Sequence, residues 1–169
     1  MVALRPPRRA VSAHLLRHPD RMIRPAEPTD TAAVNELLDQ LGYPQHDPDA
    51  TTARLKSWAD DPASAVFVAD ADGNLLGLVA VHAEPFIQLP GSSGRIIALV
   101  VSDRARRQGV ATELMTAAES FAVEQGCVRF EVTSSNFRAE AHKFYEDRGY
   151  VNQIDRSSRF LRDAAPQPR

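Results

Sequence analysis

A single α/β domain of mixed type is the fold class the sequence predicts, and three observations predict it. The chain has 169 residues, within the range of roughly 100 to 200 that one domain usually spans. Its apolar residues recur in segments of helical and strand period that alternate along the chain, which sets helices against a sheet rather than building either alone. Hydrophobic residues make up 43% and charged residues 25%, so an ordinary core can be buried, and no internal repeat points to a solenoid. The domain is expected over residues 22–162. Residues 1–21 are expected to form a flexible basic arm, and residues 163–169, with Pro166 and Pro168 and little to bury, a disordered tail.

Ile23 opens a short strand, and Glu27, Pro28, Thr29 and Asp30 supply helix-starting chemistry. Val34, Leu37, Leu38 and Leu41 then share one helical face until Gly42-Tyr43-Pro44 stops the helix. A second helix is expected after Asp49, turning Leu55 and Trp58 toward the core and ending near Asp61-Pro62. Residues 65–69 and 75–82 read as strands, and the five residues from Asp70 to Asn74 tolerate turn geometry, so the two should pair as a hairpin. Residues 94–101 make another strand. Beyond it, Val110, Leu114, Met115, Ala118, Phe121 and Ala122 recur at helical spacing until Gly126. Residues 128–133 read as the next strand, 138–148 as a helix capped by Gly149, and 150–161 as two terminal strands.

Several function classes are disfavoured at once. Twenty Lys plus Arg against 22 Asp plus Glu leave a net charge of -2, which gives no general attraction to nucleic acid or anionic membranes. The longest purely apolar run, residues 96–101, is far shorter than the ~20 residues that cross a bilayer as a helix. The one cysteine, Cys127, forms no intrachain disulfide, and no cysteine–histidine spacing suits zinc; a cytoplasmic protein without a metal site is the expectation. Cys127 reads as the entry to a strand rather than a nucleophile. Arg5, Arg8, Arg9, Arg17 and Arg21 precede Met22 with no acidic residue before Asp20. That charge superficially suits a targeting peptide, but a basic arm, or a chain start at Met22, explains it as well.

The chemical signal lies where the strand ending Leu99-Val100-Val101 leads through Arg104, Arg106, Arg107 and Gln108 to Gly109, Val110, Ala111 and Thr112. A loop entering a helix at Gly109 aims unpaired backbone N–H groups at an anion, and the helix dipole adds positive potential. Gly109 permits close approach, Ala111 keeps the opening clear, and the arginines supplement the amides. This suits a pyrophosphate. The lysine of a Walker loop and the GxGxxG fingerprint are both missing, so ATP and NAD are poorer candidates.

In three ordered motifs the sequence resembles the GNAT superfamily of acetyl-CoA-dependent N-acetyltransferases. They are Arg106-Arg107-Gln108-Gly109-Val110-Ala111 after its apolar strand, Ser135-Asn136-Phe137, and the segment from Ala141 through Phe144-Tyr145 to Gly149-Tyr150. The resemblance runs from about residue 23 to residue 161. It implies a central, mostly antiparallel mixed sheet, flanked by helices and splayed in the middle where the strand ending at Val101 separates from the one after Cys127. Acetyl-CoA, as co-substrate, would enter there. Its pantetheine would lie beside Leu99, Val100 and Val101, with an N–H near Val100 or Val101 as oxyanion donor, and its pyrophosphate would rest on Arg106, Arg107, Gln108, Gly109, Val110, Ala111 and Thr112. Tyr145 would contact the cofactor and protonate the departing thiolate, and Asn136 would bind the cofactor or hold its loop.

The attacking amine must lose a proton. Many family members place a carboxylate on the strand before the loop, where this chain has Ile96, Ile97, Ala98 and Leu99. His82 and Glu84 are therefore the candidate bases, and Asp103 a turn cap. Tyr43, His46 and Trp58, with Glu84, Phe86 and Gln88, are candidates for the acceptor cleft, Trp58 suiting core packing better. The implied function is acetyl transfer to a primary amine of a small molecule by direct attack in a ternary complex, without an acyl-enzyme. The last motif also resembles aminoalkylphosphonate acetyltransferases within the superfamily. Alternatives are an acyl-CoA sensor or interaction module without turnover, and a protein N-acetyltransferase. No nucleic-acid or membrane partner is expected; a homodimer would use the exposed terminal strands.

Overall fold

The computed structural model describes residues 17–164, which form two compact units divided between Thr133 and Ser134. The first holds one six-stranded sheet whose spatial order follows the chain: β1 (Arg17–His18), β2 (Arg21–Pro25), β3 (Ser64–Ala71), β4 (Asn74–Pro85), β5 (Ser92–Val101) and β6 (Cys127–Val132). Every pairing is antiparallel except β5 with β6, which is parallel. The mixed, mostly antiparallel sheet flanked by helices is as expected. So is the β3–β4 hairpin, whose turn places Asp72 and Gly73 at φ 52° and 86°.

Helices α1 (Thr31–Leu41) and α2 (Pro48–Asp60) cover one face of the sheet. Glu27 and Asp30 form a capping box in the short 3-10 turn before α1, Gly42 closes α1 at φ 101°, and the Asp47 side chain accepts the N–H groups of Asp49 and Ala50 to start α2. Val34, Leu37 and Leu55 pack there against Val68, Leu78 and Val100. Helix α3 (Val110–Glu124) covers the opposite face with buried Leu114, Met115, Ala118 and Phe121, the last meeting Phe67 edge-on at 6.3 Å. Gly77 lets α3 and β5 approach: a Cβ there would lie 2.6 Å from the Val100 carbonyl oxygen and 3.1 Å from Leu114 Cδ1.

Arg24 ties β2 to both the 3-10 turn and β3, bonding Asp30 through two nitrogens at 2.8 and 2.9 Å and Asp70 at 2.9 Å. The Arg24 hydrogen bonds hold the Asp30 carboxyl below its ordinary range, against the opposing effect of burial. Because the folded value is depressed, the contribution is complete above the ordinary aspartate value of about 3.9 and is lost as pH falls through the folded one. Urea midpoints followed from pH 6 to pH 2 should fall steeply below pH ~4, and Asp30→Asn should flatten that fall.

Two expectations need correction. The fold starts before residue 22: Arg17–His18 pairs with Met22 and Arg21 across the Pro19-Asp20 turn, and Arg21 is 9% exposed. Its charge serves a folded contact described below, not an arm; residues 1–16 and 165–169 lie outside the described residues. The second unit contains α4 (Ala139–Asp147), close to the expected helix, but no strand among its described residues. From residue 150 to 161 the backbone makes local turn bonds, Arg156 and Ser157 both donating to the Gln153 carbonyl, and Val151, Phe160 and Leu161 are exposed. A strand needs a partner for its ladder, and this segment has none among the described residues of its own unit. The strands expected to support a homodimer are thus not formed in these residues.

Candidate active site

The site begins where two strands part. β5 and β6 pair from Ser92↔Cys127 to Ile96↔Val132, and beyond Ile96 no strand among the described residues pairs with the β6 side of β5. At the same level β4 pairs Val81 with Ile96 and Ala80 with Ala98, so Ile97 is an extra residue, a bulge that bends β5 at the point of separation. The open edge can be read from alternation. Ser102 donates to the Leu76 carbonyl at 2.8 Å, and Leu78↔Val100 follows in the same ladder. Hydrogen-bonded and non-hydrogen-bonded pairs alternate, so Val100 points its N–H at β4 while Leu99 and Val101 turn theirs to the open side. Of the three strand residues expected at the cofactor, Val100 therefore contributes a buried side chain and the other two contribute amides. No carboxylate stands on this stretch.

The loop expected to hold pyrophosphate follows directly. A 3-10 turn, Asp103–Ala105, is anchored by the Gln40 side chain, which accepts the Asp103 N–H at 3.0 Å. Asp103 serves as a turn residue, its carboxylate pairing with Arg106 at 2.6 Å. Arg107 and Gly109 take left-handed φ of 59° and 79°, which turns neighbouring N–H groups to one side. The first i→i−4 bond of α3 runs from the Glu113 N–H to the Gly109 carbonyl, leaving Val110, Ala111 and Thr112 N–H groups without an intrahelical acceptor. Arg106, Arg107, Gln108, Gly109 and Thr112 are exposed and only Val110 is buried, so the helix start is open to a ligand.

A brace behind this loop was not legible in the sequence. Arg21 grips Glu113 through Nε and Nη2, both at 2.9 Å, and Nη2 also donates to the Gln108 carbonyl at 2.6 Å. The guanidinium is nearly buried, and its hydrogen bond to Glu113 raises its pKa further. The acid in the first turn of α3 is thereby neutralised, so it does not repel an anion.

His82 and Glu84 lie on β4. Gly77 faces α3, so by alternation Leu78, Ala80, His82 and Glu84 face the other way, with Arg95 opposite His82 and Ser93 opposite Glu84. Glu84 is exposed. His82 Nδ1 lies 2.9 Å from Ser64 Oγ and 3.7 Å from Asp61 Oδ2, and Ser64 Oγ donates to that same carboxylate oxygen at 2.6 Å. The Ser64 hydroxyl, the Ala63 N–H and nearby His82 hold the Asp61 carboxyl below its usual range. Trp58 lines a shallow apolar recess with Leu55, Ala59 and Phe67. Tyr43, His46 and Gln88 are exposed, and Phe86 stacks under Arg129 at 5.4 Å. Burial raises the Cys127 thiol pKa and keeps it protonated, as its strand-entry position suggests.

In the second unit, Tyr145 sits on α4 with its ring edge-on to Phe144 at 5.4 Å and Tyr150 at 5.8 Å. Burial raises its pKa despite the opposing effect of Arg138, so the phenol stays protonated at neutral pH. Asn136 is exposed in a turn closed by the Arg138 N–H on the Ser135 carbonyl at 3.0 Å. Among the described residues, no group of three or more His, Cys, Asp or Glu gathers as metal ligands, and no helix is long and apolar enough to cross a membrane.

A parallel strand pair opened at a bulge, leading to a helix start with exposed amides, suits a carrier that joins a diphosphate to an amide-bearing arm, as CoA does. The diphosphate suits the helix start and the amide-bearing arm suits the open strand edge. The chain belongs to the acetyltransferase (GNAT) family, whose model matches residues 31–150. It is an acyltransferase. The chain is similar to an aminoalkylphosphonate N-acetyltransferase of Salmonella typhimurium, 27% identical over 82% of this chain and 90% of that one. It is also similar to an aminoglycoside N(6')-acetyltransferase type 1 of Klebsiella aerogenes, 29% identical over 64% and 75%. The fold matches an aminoglycoside N-acetyltransferase solved with CoA, at a TM-score of 0.74 and 22% identity over 89% of this chain and 99% of that one.

Proposed function

We propose that this protein transfers the acetyl group of acetyl-CoA to the primary amine of a small molecule, by direct attack within a ternary complex. The observation that carries the reading is the opened edge of β5 running into the Gly109 helix start. The outward amides of Leu99 and Val101 hold the pantetheine arm, and one of them donates to the thioester oxygen as negative charge develops. The N–H groups of Val110, Ala111 and Thr112 take the pyrophosphate, with Gln108 and Gly109 shaping the loop and Arg106 and Arg107 adding charge.

His82 accepts the proton of the attacking nitrogen. Glu84, exposed on the same sheet face, attracts the cationic acceptor and is the second candidate base. Tyr145, protonated at neutral pH, gives its proton to the CoA thiolate, and Asn136 steadies the loop before α4. A small amine is favoured because both curated relatives are named for amine-bearing small molecules.

The test is purified protein with acetyl-CoA and a panel of aminoalkyl acids, aminosugars and polyamines, read by thiol release and mass spectrometry. Acetylation of at least one amine is expected. Binding of acetyl-CoA with no turnover of any amine contradicts the transfer reading. Tyr145→Phe should lower kcat by roughly tenfold, at the low end for a lost general acid, with acetyl-CoA affinity unchanged; unchanged turnover across pH removes the acid role.

A further inference from the structure

We infer that Asp61 and Ser64 are positioning residues that fix His82 in its Nδ1–H tautomer and so leave Nε2 as the proton acceptor. The inference rests on the acetyl-transfer reading above and extends it to residues outside the strand edge and the helix start. Asp61 is ionised at neutral pH and only accepts, so the short contact from Ser64 Oγ, 2.6 Å, uses the single hydroxyl proton of Ser64. Ser64 Oγ then meets His82 Nδ1 at 2.9 Å with lone pairs alone, and the contact is a hydrogen bond only if Nδ1 carries the hydrogen. The second ring nitrogen is left with its lone pair. The ring is not sealed in: the His82 side chain is 36% exposed.

Three elements converge to build this relay. Asp61 caps the end of α2 and accepts the Ala63 N–H at 3.0 Å, Ser64 begins β3, and Ser64↔His82 is the terminal pair of the β3–β4 ladder. Arg95 faces His82 across β5, but its guanidinium is engaged by Glu131 at 2.6 Å and Thr133 at 3.4 Å; Glu84 stands two residues along β4 on the same face. Asp61 is the carboxylate within reach of the imidazole, at 3.7 Å from Nδ1.

In the reaction the neutral amine attacks the thioester carbon, forming the C–N bond. Its nitrogen proton passes to Nε2, giving an imidazolium beside the Asp61 carboxylate. The C–S bond breaks, the thiolate takes a proton from the general acid, the imidazolium returns its proton to solvent, and the general acid regains one from solvent. Ser64 relays orientation, not a proton.

The experiment compares the full chain with Ser64→Ala, Ser64→Thr, Asp61→Asn and His82→Gln, using histidine-labelled protein in nitrogen NMR alongside pH–rate profiles at saturating acetyl-CoA. His82→Gln assigns the resonance. The neutral ring should be Nδ1–H in the wild type and in Ser64→Thr, and shift mainly to Nε2–H in Ser64→Ala. Turnover should fall roughly tenfold or more in Ser64→Ala and His82→Gln and be restored in Ser64→Thr, with acetyl-CoA affinity and melting temperature unchanged. Asp61→Asn keeps one acceptor oxygen, for the Ala63 N–H, but sets an NH2 donor against Ser64 and frees the hydroxyl proton, so the ring should shift toward Nε2–H and turnover fall as in Ser64→Ala. An Nε2–H ring in the wild type, or a tautomer unaltered by Ser64→Ala, overturns the inference. So does a wild-type profile in Ser64→Ala and Asp61→Asn when His82→Gln is impaired. Wild-type turnover in His82→Gln overturns the role of the histidine itself. If no amine is acetylated, the transfer reading fails, and the NMR arm still decides the tautomer.

Discussion

Gly109→Val is expected to weaken acetyl-CoA binding by roughly ten- to a hundredfold, a loss of about 1.4 to 2.8 kcal/mol. Gly109 holds φ at 79° at the N-cap of α3, a conformation a β-branched residue resists at a cost of roughly 1 to 3 kcal/mol. Crowding is not the cause: the nearest atom to an added Cβ is Arg21 Nη2 at 3.6 Å, an ordinary contact. The backbone relieves the strain by turning out of the left-handed region, and the N–H groups of Val110, Ala111 and Thr112 lose their common direction. Gly109→Asn is the control, since asparagine tolerates this region. It should retain most of the affinity in titration calorimetry, while the valine variant keeps its helix content by circular dichroism. Equal binding by the valine variant would remove the helix start from the account.

The second large effect is on stability. Arg21→Met leaves the Glu113 carboxylate, 21% exposed, without its partner and strips a 2.6 Å donor from the Gln108 carbonyl. Removing one member of a buried pair costs about 3 to 5 kcal/mol; the partial exposure of Glu113 reduces this to about 2 to 3 kcal/mol. Urea unfolding should show that loss. The double variant Arg21→Met with Glu113→Gln should recover about half or more, because no orphaned charge remains. The brace also shapes the loop, so the single variant should weaken acetyl-CoA binding, and a chain started at Met22 should share both defects. A single variant within about 0.5 kcal/mol of wild type would show that the pair is a surface contact of little consequence.

What was readable in the sequence was local. The turn chemistry of Asp70 to Asn74 announces the β3–β4 hairpin, and the helical recurrence from Val110 to Ala122, with Gly109 before it, announces α3 and its open start. Each depends on residues close together in the chain. Arg21 and Glu113 are 92 positions apart, and an arginine among four others before Met22 carries no sign of a distant carboxylate. Asp61 reads as a helix end and Ser64 falls one residue before the expected strand; their link to His82 arises only when β3 and β4 register. Residues 150–161 failed the opposite way. Alternating apolar residues such as Val151 and Phe160 suit strands, but β propensity is realised only against a partner edge, and the described residues of this segment's unit supply none. The outward amides of Leu99 and Val101 likewise depend on the β4–β5 ladder and the bulge at Ile97, which apolar composition does not reveal.

Amide hydrogen exchange, measured on the protein with and without CoA, examines the cofactor cleft without requiring any acceptor. The account predicts slower exchange at Leu99 and Val101 and at Val110, Ala111 and Thr112 when CoA is bound, with the Val100 amide, already held by β4, little changed. CoA binding that protects other segments and leaves these five amides exchanging as before would contradict it.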